Sequence, residues 1–121
     1  MVLVYRGSSA EEFATLICMD KIAALSEILS QDPSNAFARY GLALEYANQG
    51  DNDAALREFQ ALREHQPDYV PGHQMAAQTL IKLGRVEEAR ERLNAGIAAA
   101  EKAGNQHALS ELSGMLAEIG G

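Results

Sequence analysis

Apolar residues recur at intervals of three and four along almost the whole chain, the spacing that gathers them on one side of an α-helix. Phe13, Leu16, Ile17, Ala24, Leu25, Ile28 and Leu29 mark the first such stretch. It opens on Ser9-Ala10-Glu11-Glu12, which reads as a capping box with Ser9 as N-cap and Glu12 reaching back. It stops at Asp32-Pro33, since proline disfavours helix at the residue before it. A second helix is predicted over 35–48, ending at Gly50 in a left-handed C′ position. Asp51-Asn52-Asp53 supplies capping chemistry for a third that runs to His65, and Gln66-Pro67-Asp68 breaks it. Further helices are predicted over 69–83, with Pro71 in the first turn, over 86–102 after Gly84, and over 106–119 after Gly104-Asn105. Such short connections make successive helices antiparallel neighbours, so the expected fold class is all-α. Val2, Leu3, Val4 and Tyr5 look strand-like, but no second run exists to pair with them, and residues 1–8 are expected to be a flexible lead-in.

The pattern also repeats at longer range. Gly50 and Gly84 are 34 residues apart, and the same distance separates Ala43 from Ala77, Ala55 from Ala89 and Phe59 from Leu93, with Leu56 matched more loosely by Arg90. A period of that length signifies one helix–turn–helix unit used twice. Residues 36–69 and 70–103 resemble tetratricopeptide repeats. The pattern positions are Leu42, Ala43, Tyr46, Gly50, Ala55, Phe59 and Pro67 in the first copy, and Ala76, Ala77, Leu80, Gly84, Ala89 and Leu93 in the second. Ala43, Ala55, Ala77 and Ala89 then belong where the two helices of a unit cross, since a small side chain lets them approach closely. Tyr46 and Phe59 act as wedges between successive helices. Counting back from Pro67 reaches Pro33, and residues 20–25 look like the second helix of a preceding half repeat, with Leu25 in the place of Phe59 and Lys21 in that of Ala55. Arg39 and His73 stand where the family often has Trp, and Glu101 where it often has Pro, so the fifth helix can run on past its usual stop.

The resemblance implies a single domain over 9–121, a short right-handed α-solenoid. It comprises a leading helix (9–33), two repeats (36–69 and 70–103) and a capping helix (104–121). Leu109, Leu112, Leu116 and Ile119 fall on one side of that last helix and Glu111, Gly114 and Glu118 on the other, as suits an element covering the exposed end of a stack. The cap suggests a small complete protein, and Met19, just ahead of the first repeat-like residues, is an alternative start.

In this family the first helix of each repeat lines a concave face. The contact positions carried over are Phe37, Tyr40, Leu44, Ala47 and Asn48 in the first copy and Pro71, Gln74, Gln78, Ile81 and Lys82 in the second. The implied function is a non-catalytic adaptor holding a protein or peptide segment. A competing assignment packs Phe37, Tyr40 and Leu44 against the helix at 20–30. Members that clamp chaperone C-terminal carboxylates use Lys and Asn where Tyr40 and Leu44 stand, so an acidic chaperone tail is not the expected ligand. The alternative function is self-association, with the apolar segment 2–17 as a homodimer interface.

Composition narrows the rest. The 121 residues are 47% hydrophobic with a formal charge of −7, which opposes nucleic acid and anionic membranes as partners. One cysteine, Cys18, cannot close an internal disulfide, and no apolar run approaches the roughly 20 residues of a membrane span, so a cytoplasmic setting is expected. His65, His73 and His107 have no metal-ligand spacing and Cys18 lies in an apolar stretch. Asp51-Asn52-Asp53 lacks the glycine and the glutamate of a calcium loop. Glu11-Glu12 and Glu87-Glu88 sit in first helical turns, where they complement the helix dipole. No catalytic residue, metal or cofactor is expected.

Overall fold

A computed structural model describes residues 10–120, with the backbone alone at 11 and 13–19. Six helices follow one another: α1 (Ala10–Gln31), α2 (Ala36–Asn48), α3 (Asn52–His65), α4 (Val70–Lys82), α5 (Val86–Ala103) and α6 (Gln106–Glu118). No strand occurs among the described residues, and the chain is all-α. The lead-in 1–8 and the Ser9 cap lie outside the described residues, as do the side chains of Phe13, Leu16, Ile17 and Cys18.

Local chemistry accounts for the helix ends. Gly50 and Gly84 have φ of 83° and 77°, a conformation that any side chain would strain. Each closes the same pair of bonds. Gly50 N–H donates to Ala47 O and Asp51 N–H to Tyr46 O, and 34 residues later Gly84 N–H donates to Ile81 O and Arg85 N–H to Leu80 O. At the other ends, Asn35, Asp51 and Asn105 accept from the backbone N–H of Ala38, Ala54 and Ala108 at 2.9, 3.2 and 3.0 Å. No such cap serves α4 or α5; α4 starts on Val70 with Pro71 in its first turn, and α5 carries Glu87 and Glu88 there. Without a proline at 101, α5 continues to Ala103.

Every helix packs on its successor, and α2 also touches α4. The result is a short helical-repeat solenoid with α2, α4 and α6 in one layer and α1, α3 and α5 in the other. Ala43, Ala55, Ala77 and Ala89 are all completely buried, as close crossings within α2–α3 and α4–α5 require. Phe59 fills the space among Ala43, Ala55 and Ala76, and Leu93 and Leu112 anchor a larger cluster that joins α4, α5 and α6. Gly96 belongs to that junction: a methyl group there would stand 2.9 Å from His73 Cβ.

One expectation is corrected. Leu29, Ile22 and Leu25 of α1 pack on Ala38, Leu42 and Tyr46 of α2, whereas Tyr40 and Leu44 pack into the cluster around Phe59. Leu42 follows Tyr40 by two residues, about 200° around a helix, so α1 covers the flank that Tyr40 and Leu44 do not share. Phe37 is covered by neither helix and remains 78% exposed.

Polar ties repeat with the same 34-residue period but with altered chemistry. Arg39 donates to Pro33 O at 2.9 Å and pairs with Glu58 at 2.9 Å. In the second unit His73 bonds Pro67 O at 2.7 Å, and Arg92 stands in the place of Glu58, 3.2 Å from His73 Nδ1. Arginine only donates, so Nδ1 accepts and the proton sits on Nε2, facing the Pro67 carbonyl. Arg92 also donates to Phe59 O at 2.9 Å, tying α5 back to α3.

Burial, with the charges of Arg92 and Arg63, holds His73 below the ordinary imidazole range. The unfolded chain therefore takes up the proton first as pH falls. The His73 contribution is fully present above about pH 6.5 and is lost as pH drops through that value towards the depressed folded one. Urea unfolding between pH 7.5 and pH 5 is expected to lose at most about 1.4 kcal/mol per pH unit from this group. The variant His73→Gln should flatten that slope; an unchanged slope would assign it to other groups.

Candidate functional site

The layer of α2 and α4 carries the residues marked by the sequence. Ala47, Asn48, Gln78 and Lys82 line a groove of about 250 Å³ where the C-terminal ends of α2 and α4 meet the start of α3. Gly50 and Gly84, two residues beyond Asn48 and Lys82, end the two helices. Asn52, Met75 and Thr79 complete the lining. Thr79 Oγ1 is occupied by the Met75 carbonyl at 2.9 Å. In contrast, the side chains of Asn48, Asn52, Gln78 and Lys82 make no hydrogen bond or ion pair among the described residues. Three amides and an ammonium group thus line one groove without a partner among the described residues. Amides both donate and accept, so they match the peptide groups of an extended chain, and Lys82 adds a single positive charge.

The other candidate positions are placed elsewhere. Tyr40 lies between Phe59 and Tyr69, at ring-centroid distances of 6.5 and 5.5 Å. Burial and its neighbour Tyr69 raise its hydroxyl above the ordinary phenol range, so it stays protonated. Leu44 is half-buried beside it, and both act as the apolar bed between α2 and α4. Gln74 is held by Glu111 of α6 at 3.0 Å, and Ile81 is half-buried outside the groove lining. Pro71 is exposed at the start of α4, and Phe37 is exposed at the opposite end of α2 from Asn48. The structure therefore brings Ala47, Asn48, Gln78 and Lys82 together and leaves Phe37 apart.

The match of a family model settles what kind of scaffold this is: the tetratricopeptide repeat model covers residues 46–112, more than half of the chain. The chain belongs to the tetratricopeptide repeat family. It is 28% identical over 98 residues to a TPR repeat-containing protein of Pseudomonas aeruginosa, spanning 81% of this chain and 93% of that one. Among solved structures it is similar to a tetratricopeptide repeat domain protein from Salinibacter ruber, with a TM-score of 0.68 and 33% identity over 73% of this chain and 89% of that one. The TPR2B domain of yeast Sti1, solved in complex with an Hsp70 peptide, superposes with a TM-score of 0.79 at 18% identity, covering 91% of this chain and 88% of that domain. At that identity the likeness is one of fold.

Sequence reasoning missed a second groove. On the α3–α5 layer of the repeats, a cavity of about 520 Å³ opens between the two outer helices. Arg57 and Arg63 from α3, Arg85 just ahead of α5 and Arg92 within it line the cavity. The signal available in the sequence was the stripe Asp53, Arg57, Gln60 at helical spacing, facing Arg85, Glu88, Arg92 in the next unit. Among the described residues, no helix is long and apolar enough to cross a membrane.

Proposed function

We propose that this protein is a non-catalytic adaptor that holds an extended segment of a partner protein against the α2–α4 layer, with Asn48, Gln78 and Lys82 as the principal polar contacts. The supporting observation is the set of unspent amides and the ammonium group converging on one groove, next to an apolar bed formed by Tyr40, Leu44 and Met75. Phe37, Gln74 and Ile81 lie outside this groove and are not among its principal contacts. Membership of the repeat family, and the yeast Sti1 domain of the same fold solved in a complex, support a protein-binding role in general. The carboxylate-clamping chemistry of chaperone-tail binders is not the match here, because Tyr40 and Leu44 replace its charged and amide groups. The recognition mode that fits is an extended strand bonded through its backbone, with apolar side chains in the Tyr40–Leu44–Met75 bed.

The groove is short, so affinity in the micromolar range is expected. The test is affinity capture from the source cell, identification of the bound segment, and calorimetry of that segment against the wild type and Gln78→Ala/Lys82→Ala. These side chains are exposed and unpaired, so the double variant keeps its fold. A weakening of about tenfold, roughly 1.4 kcal/mol, is the expected result. Equal affinity would reject this face.

A further inference from the structure

The outer groove between α3 and α5 has a chemistry unlike the inner one. Its floor is aliphatic, with Leu80 of α4 buried and Leu56 of α3 half-buried. Its walls hold four of the chain's seven arginines, although the whole chain carries a formal charge of −7. Three carboxylates share the groove, and two are already engaged. Glu88 is bonded by Arg85, with one contact at 2.8 Å, and Glu91 is bonded by Arg63 at 2.6 Å. Asp53 lies near Arg85 in the first turn of α3.

Two guanidinium groups remain without a bonded carboxylate. Arg57 is exposed and makes no hydrogen bond or ion pair among the described residues. Arg92 is 6% exposed, and its bonds go to the Phe59 carbonyl and the neutral His73 ring. Burial, and then the like charge of Arg63, pushes the Arg92 guanidinium down to about 10, and Glu91 offsets part of this. An anion entering here is favoured twice over: it gains Arg57 and relieves the repulsion between Arg63 and Arg92.

We propose that the outer groove binds an acidic segment of a partner protein, whose carboxylates engage Arg57 and exchange with Glu91 for Arg63 while an aliphatic side chain covers Leu56. A nucleic acid backbone fits less well, since its evenly spaced phosphates would meet Asp53, Glu88 and Glu91 as well as the arginines. Arg57 and Arg63 are separated by about 9 Å along the α3 axis. An extended ligand rises about 3.3 Å per residue, so acids three positions apart match that spacing. The proposal concerns a different face from the adaptor groove, and neither depends on the other.

The experiment uses the full chain, isotopically labelled, titrated by NMR with a blocked peptide of two Glu-Leu-Ser-Glu units. The expected result is shift changes at Leu56, Arg57, Arg63 and Arg92, with none at Asn48 or Gln78. The same peptide with Gln for Glu is expected to bind at least about tenfold more weakly, and Arg57→Glu to cost about the same factor, as loss of a close charge pair does. Gln78→Ala should leave the titration unchanged. Circular dichroism checks that Arg57→Glu is folded, which its exposure and lack of partners favour. The proposal is overturned if the peptide fails to bind at millimolar concentration, if its shifts fall on the inner groove, or if the Gln peptide binds equally. It is equally overturned if inorganic phosphate alone reproduces the shifts at the same concentration.

Discussion

Replacing Phe59 by Ala is expected to lower the unfolding free energy by about 3–5 kcal/mol, the range found when a buried aromatic ring is deleted from a core. Phe59 is completely buried and is among the largest side chains so placed. Its ring sits against Ala43, Ala55 and Ala76, contributed by α2, α3 and α4, and beside Tyr40. Three helices that touch one ring cannot all close onto the space it leaves, so most of the cavity persists. The melting temperature should fall by more than about 10 °C. Phe59→Leu, which copies the residue found at Leu93, should cost less, since an aliphatic side chain fills the equivalent place there. Chemical denaturation of the three proteins checks the order, and a loss below about 1 kcal/mol for the alanine variant would mean that the helices collapse around the gap.

Removal of the Arg92 side chain is the second large effect. Arg92→Ala deletes the bonds to the Phe59 carbonyl and to His73 Nδ1, and leaves the buried imidazole nitrogen without a donor. A hydrogen bond to a charged group contributes about 1.5–3 kcal/mol, and an unmet buried acceptor adds to the loss, so about 2–4 kcal/mol is expected. A second readout separates this tie from mere packing. Arg92 lowers the proton affinity of His73, so its removal should raise the His73 pKa, measured by NMR titration of the ring protons. Arg92→Lys keeps the charge but lacks the planar fork that serves two acceptors, and should recover only part of the stability. A wild-type His73 titration in Arg92→Ala would show that the two side chains are not coupled.

The architecture was readable because it rests on local rules. Glycine at positive φ, asparagine and aspartate at N-caps, and alanine at crossings each leave a mark at their own position, and Gly50, Gly84, Asn35, Asp51 and the four buried alanines are where those rules put them. The flank of α2 that meets α1 was left open between two assignments, since Tyr40 and Leu42 are both apolar enough for a core and only the rotation of the helix distinguishes them. The candidate site was legible in part. Asn48, Gln78 and Lys82 converge as the repeat register implies, but that Gln74 is taken by Glu111 depends on where the last helix lands. The arginine groove was hidden for a different reason. Its residues come from α3, from Leu80 of α4 and from the start of α5, and no pairwise spacing within one helix reveals that these segments meet.

The reach of Arg92 to a carbonyl in the preceding hairpin makes the linkage one-way. The Arg39–Glu58 pair closes within its own hairpin, whereas the Arg92 side chain latches onto the neighbour upstream. Duplicating the second hairpin would give each new module an arginine that finds the corresponding carbonyl of the one before it, so a lengthened rod built that way would be latched at every joint. Duplicating the first would leave its joints without this bond, since its glutamate is held by Arg39 inside the hairpin. The two modules are thus not interchangeable parts, and evolution or design can extend this protein in one direction with a device that it already contains.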